Sequence, residues 1–261
     1  MSELLLQIQP KYEERDACAD LAQLEDLHYE PIEMFMAPAL ADDALYKKLN
    51  AWHKSLGRIK SIHGAFIDVN PASAAPAVRE HSRKRCEESC RLAKELGAQW
   101  VVFHSSCAPF LRAAYIDNWA NISAGYYMEL AEKYDLTICV ENSMDIDPVP
   151  LEEIMKRVSG GKVQVCLDIG HVNYSNAPME EWFDRLGEHI GYMHLSDNYG
   201  KYDNHLPLGE GTVDWAMADR LWRSLKVNIP ITLEVGGLEN VKKSLEYLRQ
   251  HGWFCGGKET K

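Results

Sequence analysis

Short β-rich runs alternate with amphipathic helical segments along almost the whole sequence, and this alternation favours folds that are built on a parallel sheet. The runs are apolar and rich in Val, Ile or Leu without regular polar alternation, which is typical of strands buried on both faces. The predicted strands are Leu4–Ile8, Ile32–Met36, Ile59–His63, Trp100–His104, Leu136–Glu141, Val163–Asp168, Ile190–His194 and Ile231–Glu234. The sequence therefore predicts a sheet of eight parallel strands.

Helical patterns fill the intervals between these strands. They are predicted over Ala41–Leu56, Ala77–Leu96, Asn118–Tyr134, Leu151–Val158, Pro178–His189, Asp214–Leu225 and Leu238–His251. Pro178 and Asp214 suit helix starts, and Gly97 is a stop signal at a helix C-terminus. No linker-like stretch or internal repeat interrupts the alternation, so residues 1–261 are predicted to form a single domain.

Two architectures fit eight parallel strands. An open, doubly wound sheet usually carries a Gly-rich turn after its first strand. Here the first run leads into Gln9-Pro10-Lys11-Tyr12, and no glycine motif for phosphate binding occurs in the sequence. The length of 261 residues is close to the roughly 250 residues of an eight-fold βα barrel. The predicted fold class is therefore α/β, a (β/α)8 TIM barrel.

The composition and net charge of the sequence argue against some kinds of partner and location. A net charge of −11 argues against broad electrostatic binding of nucleic acid, although bound cations would cancel part of that charge locally. No apolar run approaches the roughly 20 residues that cross a bilayer, and the N-terminus lacks the features of a signal peptide. We therefore expect a cytoplasmic protein with no membrane partner, and homo-oligomerisation stays open. The seven cysteines include no C-x-x-C pair and are interpreted as buried apolar residues rather than disulfides.

The last six predicted strands each end in a side chain that can bind a metal ion. In chain order these are His63, His104, Glu141, Asp168, His194 and Glu234, and further such side chains follow at His171, Asp203 and His205. The strand ends of a barrel converge on its C-terminal face, where active sites of this fold lie. Clustered carboxylates are costly to bury, and bound cations commonly keep them ionised. Imidazole together with carboxylate favours Zn, Mn, Co or Fe.

Four other side chains near these strand ends are candidate substrate-binding residues, and each has a second interpretation. Phe66 and Trp119 line a substrate pocket or pack in the core. Asp197 contacts substrate or caps its own loop in an Asx turn. Glu210, which lies between two glycines, contacts substrate, forms a turn or orients a ligand imidazole.

Ordered motifs between about residue 59 and residue 236 carry a family resemblance. They are His63-Gly-Ala-Phe-Ile-Asp-Val-Asn-Pro, Val-Val-Phe-His104, Glu141-Asn, Cys-Leu-Asp168-Ile-Gly-His171, His194-Leu-Ser-Asp197-Asn, Asp203-Asn-His205-Leu-Pro-Leu-Gly-Glu210-Gly and Leu-Glu234-Val. These blocks resemble the xylose-isomerase-like TIM barrel superfamily. That group includes sugar and sugar phosphate isomerases and epimerases, and nucleases of the endonuclease IV type.

The resemblance implies two alternative metal sites. In the ketose 3-epimerases it implies one divalent ion held by Glu141, Asp168, His194 and Glu234. There, the two glutamates exchange a substrate proton through a metal-stabilised enediolate. In endonuclease IV it implies three zinc ions on nine ligands, which correspond here to His63, His104, Glu141, Asp168, His171, His194, Asp203, His205 and Glu234.

Three departures from the nuclease favour the isomerase. The Gly-rich N-terminal opening of the nuclease is absent, and the loop from Asp68 to Pro76 has no apolar wedge for prying bases apart. The stretch from Asn142 to Pro148 is acidic where the nuclease contacts phosphates. We therefore expect a metal-dependent isomerase or epimerase of a small sugar or sugar phosphate, with one to three divalent ions. Phosphodiester hydrolysis of abasic DNA, a dehydratase and a non-catalytic sugar-binding barrel are the alternatives.

Overall fold

The computed structural model describes residues 4–8, 28–31, 51, 59–110, 112–225 and 227–254. Within these residues, eight parallel strands form one sheet. They are β1 (Leu4–Ile8), β2 (His28–Pro31), β3 (Ser61–His63), β4 (Trp100–His104), β5 (Thr137–Glu141), β6 (Val163–Asp168), β7 (Ile190–Leu195) and β8 (Ile231–Leu233). Seven of them overlap predicted strands. The predicted strand Ile32–Met36 lies outside the described residues, and β2 precedes it directly.

The sheet closes on itself. Its strand order is β2-β1-β8-β7-β6-β5-β4-β3, so β2 and β3 are the two end strands, and they contact each other. The Ser61 hydroxyl on β3 donates a hydrogen bond of 2.7 Å to Glu30 Oε2 on β2. This arrangement agrees with the predicted (β/α)8 barrel.

Helices follow the strands on the outside of the barrel. They are α1 (Pro76–Leu96), α2 (Ala113–Tyr134), α3 (Val149–Met155), α4 (Ile169–Tyr174), α5 (Met179–Leu186), α6 (Trp215–Ser224) and α7 (Leu238–His251). Helix α1 starts with a proline and ends at Gly97, whose φ of 78° is favourable for glycine. Helix α6 is capped by Asp214, which accepts a hydrogen bond from Met217 N.

The helix predictions are largely confirmed, with several helix ends shifted by one to three residues and two larger differences. Helix α2 begins at Ala113 rather than Asn118, and the short helix α4 was not predicted. Helix α4 forms because the Asp168 side chain accepts a 2.6 Å hydrogen bond from His171 N and so caps the turn that follows β6. The predicted helix Ala41–Leu56 lies outside the described residues except for the helical position 51.

Most of the core lies between the sheet and the helices. It includes Trp119, Trp182 and Trp215, which are at most 2% exposed. A second, smaller cluster of Val102, Cys139, Cys166 and Tyr192 fills the inside of the barrel. The five cysteines of the described residues are buried, as predicted. Among the helices of the described ranges, none has the length and apolar character that a bilayer crossing requires.

Candidate metal centre

The inside of the barrel has two levels of side chains, because successive residues of a strand point to opposite faces. The lower level holds Ser61, Val102, Cys139, Cys166, Tyr192 and Thr232, all fully buried. Two residues further along each chain segment lie His63, His104, Glu141, Asp168, His194 and Glu234. Strand register pairs His104 with Glu141 and Asp168 with His194. The six predicted strand-end side chains therefore meet at the C-terminal mouth.

Four of these side chains form a compact, buried group. One donor atom each from Glu141, Asp168, His194 and Glu234 lies within 4.8 Å of the other three. His194 Nδ1 is 3.2 Å from Glu141 Oε1 and 3.4 Å from Glu234 Oε2. Opposite ligands of an ion with bonds of about 2.1 Å are about 4.2 Å apart, so little movement is needed to surround one ion.

Some buried carboxylate oxygens in this group have no hydrogen-bond partner among the described residues. Glu141 Oε2 and Asp168 Oδ2 are buried and accept no hydrogen bond from any described residue. Unpaired, buried carboxylate oxygens are costly, and a divalent ion would satisfy both atoms at once. Three carboxylate ligands with one imidazole match the preferences of Mn, Zn, Co and Fe. The donor set therefore fits the divalent ion that the sequence predicts.

The pKa values of the carboxyl groups in this group also favour a bound cation. Burial raises the pKa of Asp168 well above its usual range, and the nearby His171 offsets only part of that effect. Burial also acts to raise the pKa of Glu141 and Glu234, but the adjacent His194 outweighs it, so that both pKa values lie well below their usual range. Positive charge thus keeps the two glutamates ionised, and a bound cation would supply more of it.

The imidazoles are oriented as metal ligands usually are. Nδ1 of His63, His171 and His205 lies 3.1, 2.5 and 2.7 Å from the backbone oxygens of Gly64, Asn142 and Glu234. A carbonyl can only accept, so Nδ1 carries the proton and donates it in all three histidines. The other nitrogen, Nε2, is then turned toward carboxylates. In histidines that bind metal through one ring nitrogen, the other ring nitrogen typically donates a hydrogen bond to a carbonyl or carboxylate.

All nine predicted metal ligands belong to one continuous cluster. Nε2 of His63 and of His104 lies 3.4 and 3.5 Å from Glu141 Oε2. Burial lowers the pKa of His104 to about 4, so its ring is neutral and suited to a metal. On the other side, Asp203 Oδ2 lies 3.4 Å from His171 Nε2 and 2.8 Å from His205 Nε2. The role of all nine residues as metal ligands remains a prediction.

A pocket of about 730 Å³ opens onto this cluster, within the range of small-molecule sites. Its walls include His104, His171, Asp203 and the predicted substrate residue Phe66. The Phe66 ring packs against His104 with centroids 4.7 Å apart. Phe66 therefore lines the pocket beside the cluster, and its contact with substrate stays a prediction.

The other three predicted substrate residues lie elsewhere, and we revise their roles. Trp119 is 1% exposed in the core on α2. Glu210 is a surface turn residue whose carboxylate pairs with Lys243 Nζ at 2.8 Å. Asp197 is fully buried, and its carboxylate accepts hydrogen bonds from Asn198 N, Gly209 N, Val213 N and Trp215 Nε1. Packing for Trp119, a turn for Glu210 and loop organisation for Asp197 are the interpretations that these contacts favour.

Comparison with known families agrees with this architecture. The profile of the xylose isomerase-like TIM barrel family matches residues 21–251. The chain belongs to this family. Among curated relatives, the uncharacterized protein MJ1311 of Methanocaldococcus jannaschii is 29% identical over 203 residues, which are 73% of this chain and 69% of the relative.

Two solved structures of similar fold are informative about the barrel. A D-tagatose 3-epimerase-like protein superposes with a TM-score of 0.77 at 23% identity, covering 96% of this chain and 97% of the other. The IOLI protein with a bound zinc atom superposes with a TM-score of 0.75 at 15% identity, covering 98% of this chain and 100% of the other. At these identities the likeness establishes the fold.

Sequence reasoning missed two residues that hold this family's barrel mouth together here. The Asn142 amide receives a hydrogen bond from Asp168 N and donates one to Asp168 O, at 2.8 and 3.1 Å, and thereby joins the ends of β5 and β6. Glu30, fully buried on β2, lies 3.0 Å from His194 Nε2 through its Oε1 atom. Asn142 follows a predicted ligand directly, which was a usable signal. Glu30 precedes the predicted second strand and carried no such signal.

We expect Asp197→Ala to lower the free energy of unfolding by about 3 kcal/mol, because Gly209 N, Val213 N and Trp215 Nε1 lose a buried acceptor. Urea unfolding of chelator-treated protein measures the effect. Asp214→Ala, which removes one helix cap, is the control and should cost about 1 kcal/mol. If the variant had unchanged stability and a raised KM, Asp197 would instead be a substrate-binding residue, as the sequence allows.

Asp145 is a buried carboxyl group beside the cluster. Its Oδ2 atom accepts hydrogen bonds from Ser105 Oγ at 2.6 Å and Ser143 N at 3.2 Å, whereas Oδ1 is buried with no hydrogen-bond partner among the described residues. Burial raises the pKa of Asp145 to about 7. The folded chain therefore favours the protonated form of this side chain.

We expect Asp145→Asn to stabilise the chain near pH 8 by about 4 kcal/mol and to have little effect near pH 4. Because the folded pKa of about 7 lies above the ordinary 3.8, the folded state holds an extra proton between those values. That stability is fully present below pH 4 and is lost as the pH rises through 7. Urea unfolding from pH 4 to pH 8 tests this, with Asp184→Asn, at an exposed position on α5, as a control for net charge. A difference that does not change with pH would contradict it.

Proposed function

We propose that this chain is a divalent-metal-dependent isomerase or epimerase of a small sugar or sugar phosphate. One observation carries the proposal. The carboxylates of Glu141 and Glu234 reach the same nitrogen, His194 Nδ1, from different strands, at 3.2 and 3.4 Å. Two carboxylates beside one cation position are what a reaction needs when a proton leaves a carbon on one face and returns on another.

Each residue of the cluster has its own role in this reaction. Glu141, Asp168, His194 and Glu234 would hold a divalent ion, which would polarise a substrate carbonyl and offset the negative charge that develops on its oxygen. Glu141 and Glu234 act as base and acid on the carbon next to that carbonyl. Their lowered pKa values keep both carboxylates deprotonated at neutral pH, which is the form that can accept a proton. Asp168 and His194 complete the ligand set.

The pocket supports a small polar substrate. Besides Phe66 its walls include Asp68, Asn70, Ser106 and Ser143, which offer hydrogen-bonding groups to sugar hydroxyls. Asp68 and Ser106 have φ values of 56° and 55°, a backbone strain that concentrates at functional sites. The epimerase-like and zinc-bound structures of the same fold are consistent with a carbohydrate substrate and a divalent ion.

A second candidate is phosphodiester hydrolysis of abasic DNA with up to three metal ions. The observation in its favour is the surplus of donors, because His63, His104, His171, Asp203 and His205 exceed what one ion needs. Clustered ions would activate water and contact phosphate oxygens. A dehydratase would use the same enolate chemistry as the isomerase.

The deciding experiment incubates the metal-loaded protein with candidate ketoses and ketose phosphates in deuterated water. We expect deuterium at the carbon next to the carbonyl and about one Mn, Zn, Co or Fe ion per chain. Absence of exchange with every sugar, together with three zinc ions per chain and cleavage of abasic DNA, would reverse the order of the two functions. Loss of water from the substrate would identify the dehydratase.

A further inference from the structure

Glu30 is a buried carboxylate directly beneath the cluster of predicted metal ligands. It lies on β2 with 0% exposure. Its Oε1 atom is 3.0 Å from His194 Nε2, an ion-pair distance, and neither of these two atoms has a hydrogen-bond partner among the described residues. Burying a charged group is costly unless it is paired, so this contact needs a physical reason.

A line of hydroxyl groups holds Glu30 in place. Ser61 Oγ donates to Glu30 Oε2 at 2.7 Å, and it is 2.6 Å from Tyr192 Oη. Tyr192 Oη is in turn 2.8 Å from Thr232 Oγ1. Since the Ser61 proton is given to Glu30, Ser61 accepts from Tyr192, and Tyr192 accepts from Thr232. All three hydroxyl protons therefore point toward Glu30, across the floor of the barrel from β8 through β7 and β3 to β2.

His194 is oriented differently from the other histidines of the cluster. His63, His171 and His205 give their Nδ1 proton to a backbone carbonyl and present Nε2. His194 instead presents Nδ1 to Glu141 and Glu234, and its Nε2 faces Glu30. A neutral imidazole carries one proton, and the acceptor at one nitrogen decides which nitrogen is left for a metal.

We infer that Glu30 is a positioning residue, which takes the Nε2 proton of His194 and thereby fixes Nδ1 as the metal-binding atom. The inference rests on the proposed metal-dependent function. Glu30 lies on the far side of the imidazole from Glu141 and Glu234, so it acts through His194 rather than on substrate. A carboxylate in this position also makes the imidazole a stronger ligand than a carbonyl would, and such partners commonly change metal affinity about 10- to 100-fold.

The first test uses the unaltered full chain. Nitrogen NMR of ¹⁵N-histidine-labelled, zinc-loaded protein distinguishes a metal-bound from a protonated ring nitrogen, and the signals of His194 are assigned by their loss in His194→Asn. We expect zinc on Nδ1 and a proton on Nε2 of His194. Zinc on Nε2 of His194 would overturn the inference. A chain that binds no zinc would contradict the proposed function instead.

The second test measures zinc affinity by competition with a chelator. We expect Glu30→Ala to weaken zinc binding about 10- to 100-fold. Glu30→Gln should restore part of that affinity, because its amide oxygen still accepts the Nε2 proton. Ser61→Ala, which loosens Glu30 without removing it, should give a smaller loss and serves if Glu30→Ala does not fold. Glu210→Ala, at a surface glutamate, is the matched control. Wild-type affinity in a folded Glu30→Ala chain would overturn the inference.

Discussion

Replacing Glu234 with Gln is expected to reduce the rate of epimerisation about 10²- to 10⁴-fold while the chain still folds. Glu234 follows β8, is 4% exposed and places Oε2 3.4 Å from His194 Nδ1. Glutamine has the same shape and keeps an oxygen that can contact a cation. It cannot accept a proton from carbon, so kcat should fall even when the metal is saturating.

The two-glutamate proposal makes a sharper prediction about this variant. Each glutamate exchanges the proton of the epimer that it faces, so Glu234→Gln should lose conversion but keep deuterium exchange with one epimer through Glu141. Glu141→Gln should retain exchange with the opposite epimer. Mass spectrometry of both sugars after incubation in deuterated water measures this difference. If a single glutamate exchanged the proton of both epimers, one variant would lose exchange with both epimers. The other variant would keep exchange with both.

The control for Glu234→Gln is the same substitution at Glu210. That glutamate lies at the surface and pairs with Lys243, so its change to Gln should leave kcat within about twofold of the wild type, since exposed ion pairs contribute little. Metal content and the unfolding curve of each variant separate a lost proton acceptor from a lost ion. Full activity in Glu234→Gln would exclude Glu234 as an acid or base.

The barrel and its mouth could be predicted from sequence because both depend on short-range patterns. An apolar strand that is buried on two faces has a recognisable composition, and a polar side chain at its end stands out against it. His104, Glu141 and Asp168 are of this kind, and each ends its strand as predicted. Parallel topology then requires the strand ends to converge, whatever the sequence between them.

The contacts of individual side chains could not be predicted in the same way. Asp197 accepts from Trp215 Nε1, which is 18 positions further along the chain, and nothing local indicates that its carboxylate turns into the loop. At β2 the apolar run Ile-Glu-Met-Phe-Met was a stronger strand signal than His28–Pro31, and the strand predicted from it lies outside the described residues. Glu30 was missed because its role depends on Ser61 and His194, on two other strands.

Metal loading is expected to raise the free energy of unfolding by about 4 kcal/mol when the free ion is at about 1,000 times its Kd. The physical reason is that Glu141 Oε2 and Asp168 Oδ2 are buried without a hydrogen-bond partner among the described residues, so an ion that binds only the folded chain relieves their cost. For a chain of this size the gain corresponds to a Tm increase of about 8 to 16 °C. Thermal unfolding after chelator dialysis, with Mn, Zn, Co or Fe added back singly, measures it.

The variant that separates this effect from unspecific ion binding is Glu141→Ala. Among the described residues, Glu141 belongs to three of the four groups of donor atoms that could surround an ion, so its loss should remove most of the Tm increase, whereas Glu210→Ala should retain it. The number of ions per chain at saturation then distinguishes the two proposed functions. One ion leaves His63, His104, His171, Asp203 and His205 to bind substrate or orient ligands, and three ions would make them ligands and favour hydrolysis. If no ion raises the Tm, the carboxylates of the cluster are stabilised by the protonated histidines alone, and the metal-dependent mechanism is wrong.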